Sequence, residues 1–326
     1  MRGPAATNLH RAKKYIYMET INQTLVSYFI IKGISDVPEF QVPVFLLVLL
    51  IYLTVLGGNM AILHLVCQDN QLHTPMYFFL GNLSLIDISY TSITLPKVLF
   101  MFISGDNTIS FFVCFTQFYV FSSSTSYELL LLTAMGYDRY VAICKPLHYH
   151  TIMNRRACVL LTSVCWCLGF LEPMPFVILL AGISCYTSHI INHFFCDLVP
   201  LLQISCTDTS LLETLVFTEG MFLTLLTPFI LTCISYAFIM VTILKIRSNT
   251  GRRKAFYTCA SHLTVVVLLY ATLICQYMRP ATTNSLDSNK LFSLFNAIAL
   301  PLLNPLIYSL KNKDVKSALK RRLRSI

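Results

Sequence analysis

Two carboxylates in this chain stand where water is scarce. Asp87 and Glu128 each lie inside long apolar runs, where burying a carboxylate costs at least a few kcal/mol, so both must face an interior and share partners. Asn59 and Asn304, embedded in similar runs, are natural companions. Such a cluster holds water, a proton or a sodium ion and collapses when helices rearrange; the plain alternative is a static hydrogen-bonded knot. Glu128 and Arg139 are eleven residues apart, about three helical turns, and so share one helix face. Phe121, Ser122 and Thr125 precede Glu128 on nearly the same stripe, which therefore runs from one end of a helix, past a buried acid, to a basic end. In Asp138-Arg139-Tyr140 a carboxylate sits beside a guanidinium, a pair able to hold a resting state through a charge-assisted bond and to free the Arg for a partner. Three residues alone are a weak signal.

Cysteine supplies a second chemistry. Cys114, Cys185, Cys196 and Cys206 are the four placed on the oxidising side of the topology derived below, which leaves three pairings open. The other eight of the 12 cysteines fall within apolar runs or near the cytoplasm and are expected to be reduced. His193-Phe194-Phe195-Cys196-Asp197 brings potential metal ligands close together, but an oxidised Cys196 is no thiolate ligand, and no metal site is assigned. Asn22-Gln23-Thr24 is an N-glycosylation acceptor. Asn82-Leu83-Ser84 has the same pattern but falls inside an apolar span. A phosphate-cradling Gly loop, a nucleophile elbow and HExxH are all absent from the sequence, so no enzyme activity is expected.

The elements that must position these groups are membrane spans. Hydrophobic residues form 56% of the 326 residues and charged ones 12%, with mean hydropathy +0.66, too few charges for a water-facing surface of this size. The net charge of +9 sits in short clusters between apolar runs rather than along one face, which argues against nucleic acid. A span needs about 20 apolar residues; seven candidates fit, at 40–66, 76–99, 111–135, 157–181, 211–244, 255–278 and 290–310. No cleavable signal peptide is visible before them, and the first span is expected to serve as the anchor. With the N-terminus outside, Arg139, Lys145, Arg155, Arg156, Lys245, Arg247 and Arg252–Lys254 fall in cytoplasmic loops, against Lys97, Arg279 and Lys290 in the outer ones. Residues 1–17 are basic and weakly oppose this; Met18 is a second candidate initiator. The expected fold is an all-α seven-helix bundle with an outer tail (1–39), a transmembrane domain (40–310) and a cytoplasmic tail (311–326). In that tail Val315, Ala318, Leu319 and Leu323 recur at helical spacing among Lys and Arg, which predicts an amphipathic helix on an anionic lipid leaflet.

These strings resemble the vertebrate odorant receptors of the rhodopsin-like class. The match runs through Gly58-Asn59, Pro75–Leu80, Met135–Cys144, Ser235-Tyr236, Lys254–Phe256 with Thr258–Leu263, and Pro301–Ser309, in the family's order. The resemblance implies pairing of Cys114 with Cys196 and of Cys185 with Cys206. It implies a G-protein switch of Asp138, Arg139 and Tyr140 with Tyr236, His262 and Tyr308 as inner-face partners. It also implies a pocket of Phe121, Ser122, Thr125, Thr224, Leu273, Ile274 and Tyr277 with Tyr270 at its toggle position, and coupling to the olfactory stimulatory G protein to raise cyclic AMP. A plasma-membrane receptor of olfactory cilia is expected; the same fold serving as a chemosensor outside the nose is the alternative. Three positions depart from the family: Gly136 for Ala, Tyr257 for Ser and Ala271 for Gly. Tyr257, near the G-protein face, is expected to alter coupling or basal activity. The inferred pocket carries hydroxyls and no fixed charge, so the expected ligand is small, neutral and mostly apolar; an amine would want an acid near Phe121. No cofactor is expected beyond a sodium ion or proton at Asp87 and Glu128. A transporter would show inverted repeats and broken helices in two halves; neither is visible.

Overall fold

The structure, a computed structural model, describes residues 27–34, 38–183, 185–277, 290, 292–310 and 313–323. Asn22 and Met18 lie outside them, as do the side chains of Tyr277 and Tyr308. Long helices α1 (Pro38–Gln68), α2 (Pro75–Ser104) and α3 (Phe111–Cys144) come first. α4 (Arg155–Ala181) and α5 (Ser210–Lys245) follow, then α6 (Asn249–Tyr277). A π-helical turn, Phe295–Ala299, opens into Leu300–Leu310 and together they make α7. α8 (Lys313–Leu323) closes the chain.

Length and apolarity alone mark Glu39–Gln68, Pro75–Ser104, Arg155–Ala181, Ser210–Lys245 and Asn249–Gln276 as able to cross a membrane. α3 falls short on apolarity for a physical reason. It packs against α2, α4, α5 and α6, so its Gln117, Ser123, Ser124, Ser126, Glu128 and Asp138 face protein rather than lipid. α1 sits at the periphery and leaves Leu46, Leu47, Leu50 and Leu53 exposed, the surface a lipid-facing helix needs.

A proline in α7 explains one long-range side-chain bond. Pro305 has no N–H, so the Pro301 carbonyl four residues earlier loses its helical donor; Asn59 Nδ2 donates to that oxygen at 3.2 Å. The two backbones run close here, since a Cβ on Gly58 would meet the Pro305 ring at 3.4 Å. Near Pro96 of α2, Gln117 Nε2 donates to the Ile93 carbonyl at 3.1 Å and ties α3 to α2. Asn82, the sequon inside a span, accepts from Trp166 Nε1 at 3.3 Å and ties α2 to α4.

The outer cap contains structure that periodicity did not reveal. β1 (Tyr28–Ile31) pairs antiparallel with β2 (Thr108–Ser110) and parallel with β3 (Ile190–Ile191). Phe29 and Ile31 are fully buried and join a cluster with Cys114, Phe115 and Phe118. The outer tail is thus partly built into the fold. At the inner end α8 buries Val315 and Ala318 while Leu319 stays exposed, and Arg321 pairs with Asp69 at 2.6 Å.

Candidate functional site: outer cavity, buried acids and inner switch

Beneath the cap lies a cavity of about 350 Å³ between α3, α4, α5 and α6. It is closed above by the loop that carries two disulfides, Cys114–Cys196 and Cys185–Cys206; the other eight cysteines are free. The first bond staples the loop to the top of α3. Gln117 reinforces it, since its Oε1 accepts from the Cys196 N–H at 3.0 Å.

α5 reaches the cavity through an irregular stretch. Val216–Leu226 is π-helical, a widened turn often found at functional sites, and it presents Val216, Phe217, Gly220, Met221, Thr224 and Leu225 to the cavity. Of the expected pocket residues, Phe121, Ser122, Thr125, Thr224 and Leu273 line it. Two expectations need correction. Ile274 is 44% exposed and looks outward, because one residue past an inward Leu273 rotates about 100° around a helix. Tyr270 is not among the lining residues; it lies one turn deeper, buried against the Phe229 ring at 5.0 Å. A third correction concerns charge. Glu172, at the break where α4 meets Pro173, lines the cavity with Ser126 and Thr224. Its carboxylate accepts from Ser126 Oγ at 2.6 Å and from Thr224 Oγ1. The expectation of an uncharged wall therefore fails. The acid comes from the fourth span, where a Glu-Pro pair at a helix break carries no periodic signal pointing inward.

Below the cavity, Asn304 Nδ2 donates to Asp87 Oδ2 at 3.1 Å and to Glu128 Oε1 at 3.3 Å, so one amide bridges both carboxylates. Asn59 does not join them: it serves Val55 and Pro301, for the proline reason given above. Asp87 Oδ1 and Asn304 Oδ1 are buried with no hydrogen-bond partner. A second polar cluster, unforeseen in the sequence, sits under the cap. Gln276 donates to Asp197 Oδ2 at 3.1 Å and to Ser293 at 2.9 Å, Asn296 donates to Gln276, and Tyr90 donates to the Asn296 carbonyl. With Cys196 in a disulfide and Asp197 committed here, the residues around His193 make a structural knot. No metal-holding group of three or more His, Cys, Asp or Glu occurs among the described residues.

His193 is buried between the rings of Phe194 and Phe195, both centroids at 4.7 Å. Burial, with Lys290 adding to it, lowers its pKa to about 3. An unfolded His takes its proton near pH 6.5, so below that the unfolded chain binds a proton that the folded one refuses, and stability falls as pH drops from about 6.5 toward 3. The purified receptor should therefore lose more thermal stability between pH 7.5 and 5 than His193→Gln does. Equal losses would refute the assignment.

At the inner end Arg139 Nε donates to Asp138 Oδ2 at 3.0 Å and Nη2 pairs with the same oxygen. Tyr149, in the short helix Tyr149–Ile152 that follows α3, donates to Asp138 Oδ1 at 2.8 Å; sequence reading missed it. Tyr140 stands apart from that pair, with its ring toward Phe238 at 5.9 Å and Lys145 Nζ at 5.9 Å. Tyr236 and His262 meet directly. His262 Nε2 lies 2.9 Å from the Leu132 carbonyl, which only accepts, so Nε2 carries the hydrogen and Nδ1 accepts from the Tyr236 hydroxyl at 2.7 Å. That chain clamps α3, α5 and α6 together.

A membrane bundle with a capped outer cavity, a buried acid pair and a clamped inner Arg defines a seven-helix receptor. The sequence profile described as Olfactory receptor matches residues 48–325. Olfactory receptor 8U3 of Mus musculus is 45% identical over 307 residues, 94% of this chain and 96% of the relative. Olfactory receptor 5B12 of Homo sapiens is 46% identical over 300 residues, 92% and 95% of the two chains. Olfactory receptor 5AR1 of Mus musculus is 45% identical over 304 residues, 93% and 98%. The chain belongs to the olfactory receptor family. It is a multi-pass G-protein-coupled receptor of the plasma membrane and not an enzyme, with a small molecule and a G protein as its partners.

Proposed function

We propose that this receptor seats a small, mostly apolar volatile molecule in the outer cavity and, when occupied, activates a stimulatory olfactory-type G protein to raise cyclic AMP. The observation that supports this most is the position of one helix. α3 contributes Phe121, Ser122 and Thr125 to the cavity wall, Glu128 to the buried acids and Asp138-Arg139 to the inner face. A ligand that prefers the arrangement with the inner half open shifts the population toward it. That arrangement breaks the Tyr236–His262–Leu132 clamp and frees Arg139 for the G protein. Each buried CH₂ of the ligand contributes about 0.8 kcal/mol.

The acid pair belongs to the same reading. Asp87 and Glu128 share one amide donor, and one oxygen of Asp87 has no partner, a donor set that suits a shared proton or a sodium ion. Asp87, Glu128 and Asn304 would hold it, offsetting the repulsion between the carboxylates while the bundle is closed.

The test is a cyclic AMP reporter in cells expressing the receptor, screened with a panel of volatile compounds. Gly220 lines the cavity and a Cβ there would meet nothing within 4 Å, so Gly220→Phe starts its ring from open space at the cavity wall. It is expected to abolish responses to the larger agonists and spare surface delivery. An unchanged agonist ranking would place the ligand elsewhere.

A further inference from the structure

The cavity's polar groups specify more than size. Four side-chain hydroxyls line it, those of Ser122, Thr125, Ser126 and Thr224, and each has its hydrogen committed. Ser122 donates to the Phe118 carbonyl at 2.9 Å and Thr125 to the Phe121 carbonyl at 3.0 Å. Ser126 and Thr224 donate to the two oxygens of Glu172. The remaining lining side chains are apolar or Gly, apart from the carboxylate of Glu213, and no Lys, Arg or His is among them. The wall thus offers a ligand acceptors and no side-chain donor.

We infer that Glu172 anchors the ligand and that the preferred agonists are small apolar molecules carrying a protonated primary amine. This deepens the proposed function and rests on it. The Glu172 carboxylate, Ser126 Oγ and Thr224 Oγ1 cluster through direct hydrogen bonds, and each keeps lone pairs free after those bonds. Three acceptors match the three N–H groups of an ammonium. Neither ion pair among the described residues involves Glu172, so a bound ammonium supplies the countercharge that the protein omits. Phe118, Phe121, Phe176 and Leu273 then enclose the hydrocarbon body. Glu213 lies at the exposed rim, where it accepts from Thr209 at 2.7 Å, and adds negative potential at the cavity that favours entry of a cation. A carboxylic acid of the same length meets only acceptors and like charge. An alcohol supplies one donor without the charge.

The test compares primary amines, the matching alcohols and the matching carboxylic acids of equal carbon skeleton on the wild-type receptor. Potency is read by cyclic AMP and binding by the rise in melting temperature of purified receptor, which does not depend on the G protein. Amines are expected to act at concentrations lower than those of the alcohols by about tenfold or more, as a charge-assisted contact implies, and the acids are expected to be silent in both assays. Glu172→Gln, which keeps the shape and removes the charge, should reduce amine potency about 10- to 100-fold and leave alcohols within a few-fold. Alcohols equal to or better than amines on the wild type would overturn the amine assignment and leave the cavity reading intact. So would amine potency unchanged by Glu172→Gln. Amines that raise the melting temperature without raising cyclic AMP would uphold the anchor and refute the stimulatory coupling. Should Glu172→Gln fail to reach the surface, the wild-type ranking alone decides.

Discussion

Replacing Gly169 with Ala is expected to cost the receptor its surface expression and to lower the melting temperature of whatever folds. A Cβ at this position would stand 2.8 Å from the N, Cα and Cβ of Tyr127. Two of those atoms belong to the α3 backbone, so no rotamer change relieves the clash. Tyr127 itself is fully buried and its ring packs tilted against Trp166 with centroids 4.3 Å apart, so α3 cannot step aside without unpacking α4. Overpacking of this kind costs about 1–3 kcal/mol and sometimes more, and Val should be worse than Ala. Gly57→Ala is the matched control. A Cβ there meets nothing within 4 Å, and exchanging Gly for Ala inside a helix gains up to about 1 kcal/mol. A Gly169→Ala receptor as abundant and as stable as wild type would mean that α3 and α4 are not in backbone contact.

Arg139→Ala is expected to leave the receptor at the cell surface and abolish its ligand-driven response. Arg139 lies at the inner end of α3 and its guanidinium is held by Asp138 alone among the described acids. Its side chain is mostly buried beside Asp138, and Tyr149 still donates to Asp138 once the guanidinium is gone, so the acid keeps a partner in the variant. Asp138→Asn tests the restraint from the other side. It frees the guanidinium and weakens the Tyr149 bond, so basal activity should rise about fivefold or more, the scale of an ordinary coupling energy. Tyr149→Phe removes one hydrogen bond and should give a smaller rise. A full response from Arg139→Ala at equal surface density would sink the switch.

Two family departures acquire physical meaning in the structure. A Cβ on Gly136 would lie 3.7 Å from His262 Cε1, 3.9 Å from Thr232 Cγ2 and 4.0 Å from the Tyr236 ring, so the clamp has room for the methyl group this chain omits. Tyr257 is 60% exposed and lies under Arg253, whose guanidinium is 5.4 Å from its ring. It packs into no core, so any influence on coupling must act through what it meets outside the bundle.

The apolar runs, the basic loops and the order of the motifs were enough to establish the seven-helix bundle and the family. Membrane insertion imposes length and hydropathy on each span separately, and such local constraints are written in consecutive residues. Phe121, Ser122, Thr125, Thr224 and Leu273 were legible as cavity residues, and Asn304 as the companion of both acids, through helix spacing and family resemblance together. The rotation of Ile274 to the outside, the diversion of Asn59 to the carbonyl orphaned by Pro305, and the acceptance of both Ser126 and Thr224 by Glu172 were not. Each depends on how one helix is turned and kinked against another, a property of the packed assembly that no single stretch of sequence encodes. For that reason the charge in the cavity was decided only in three dimensions.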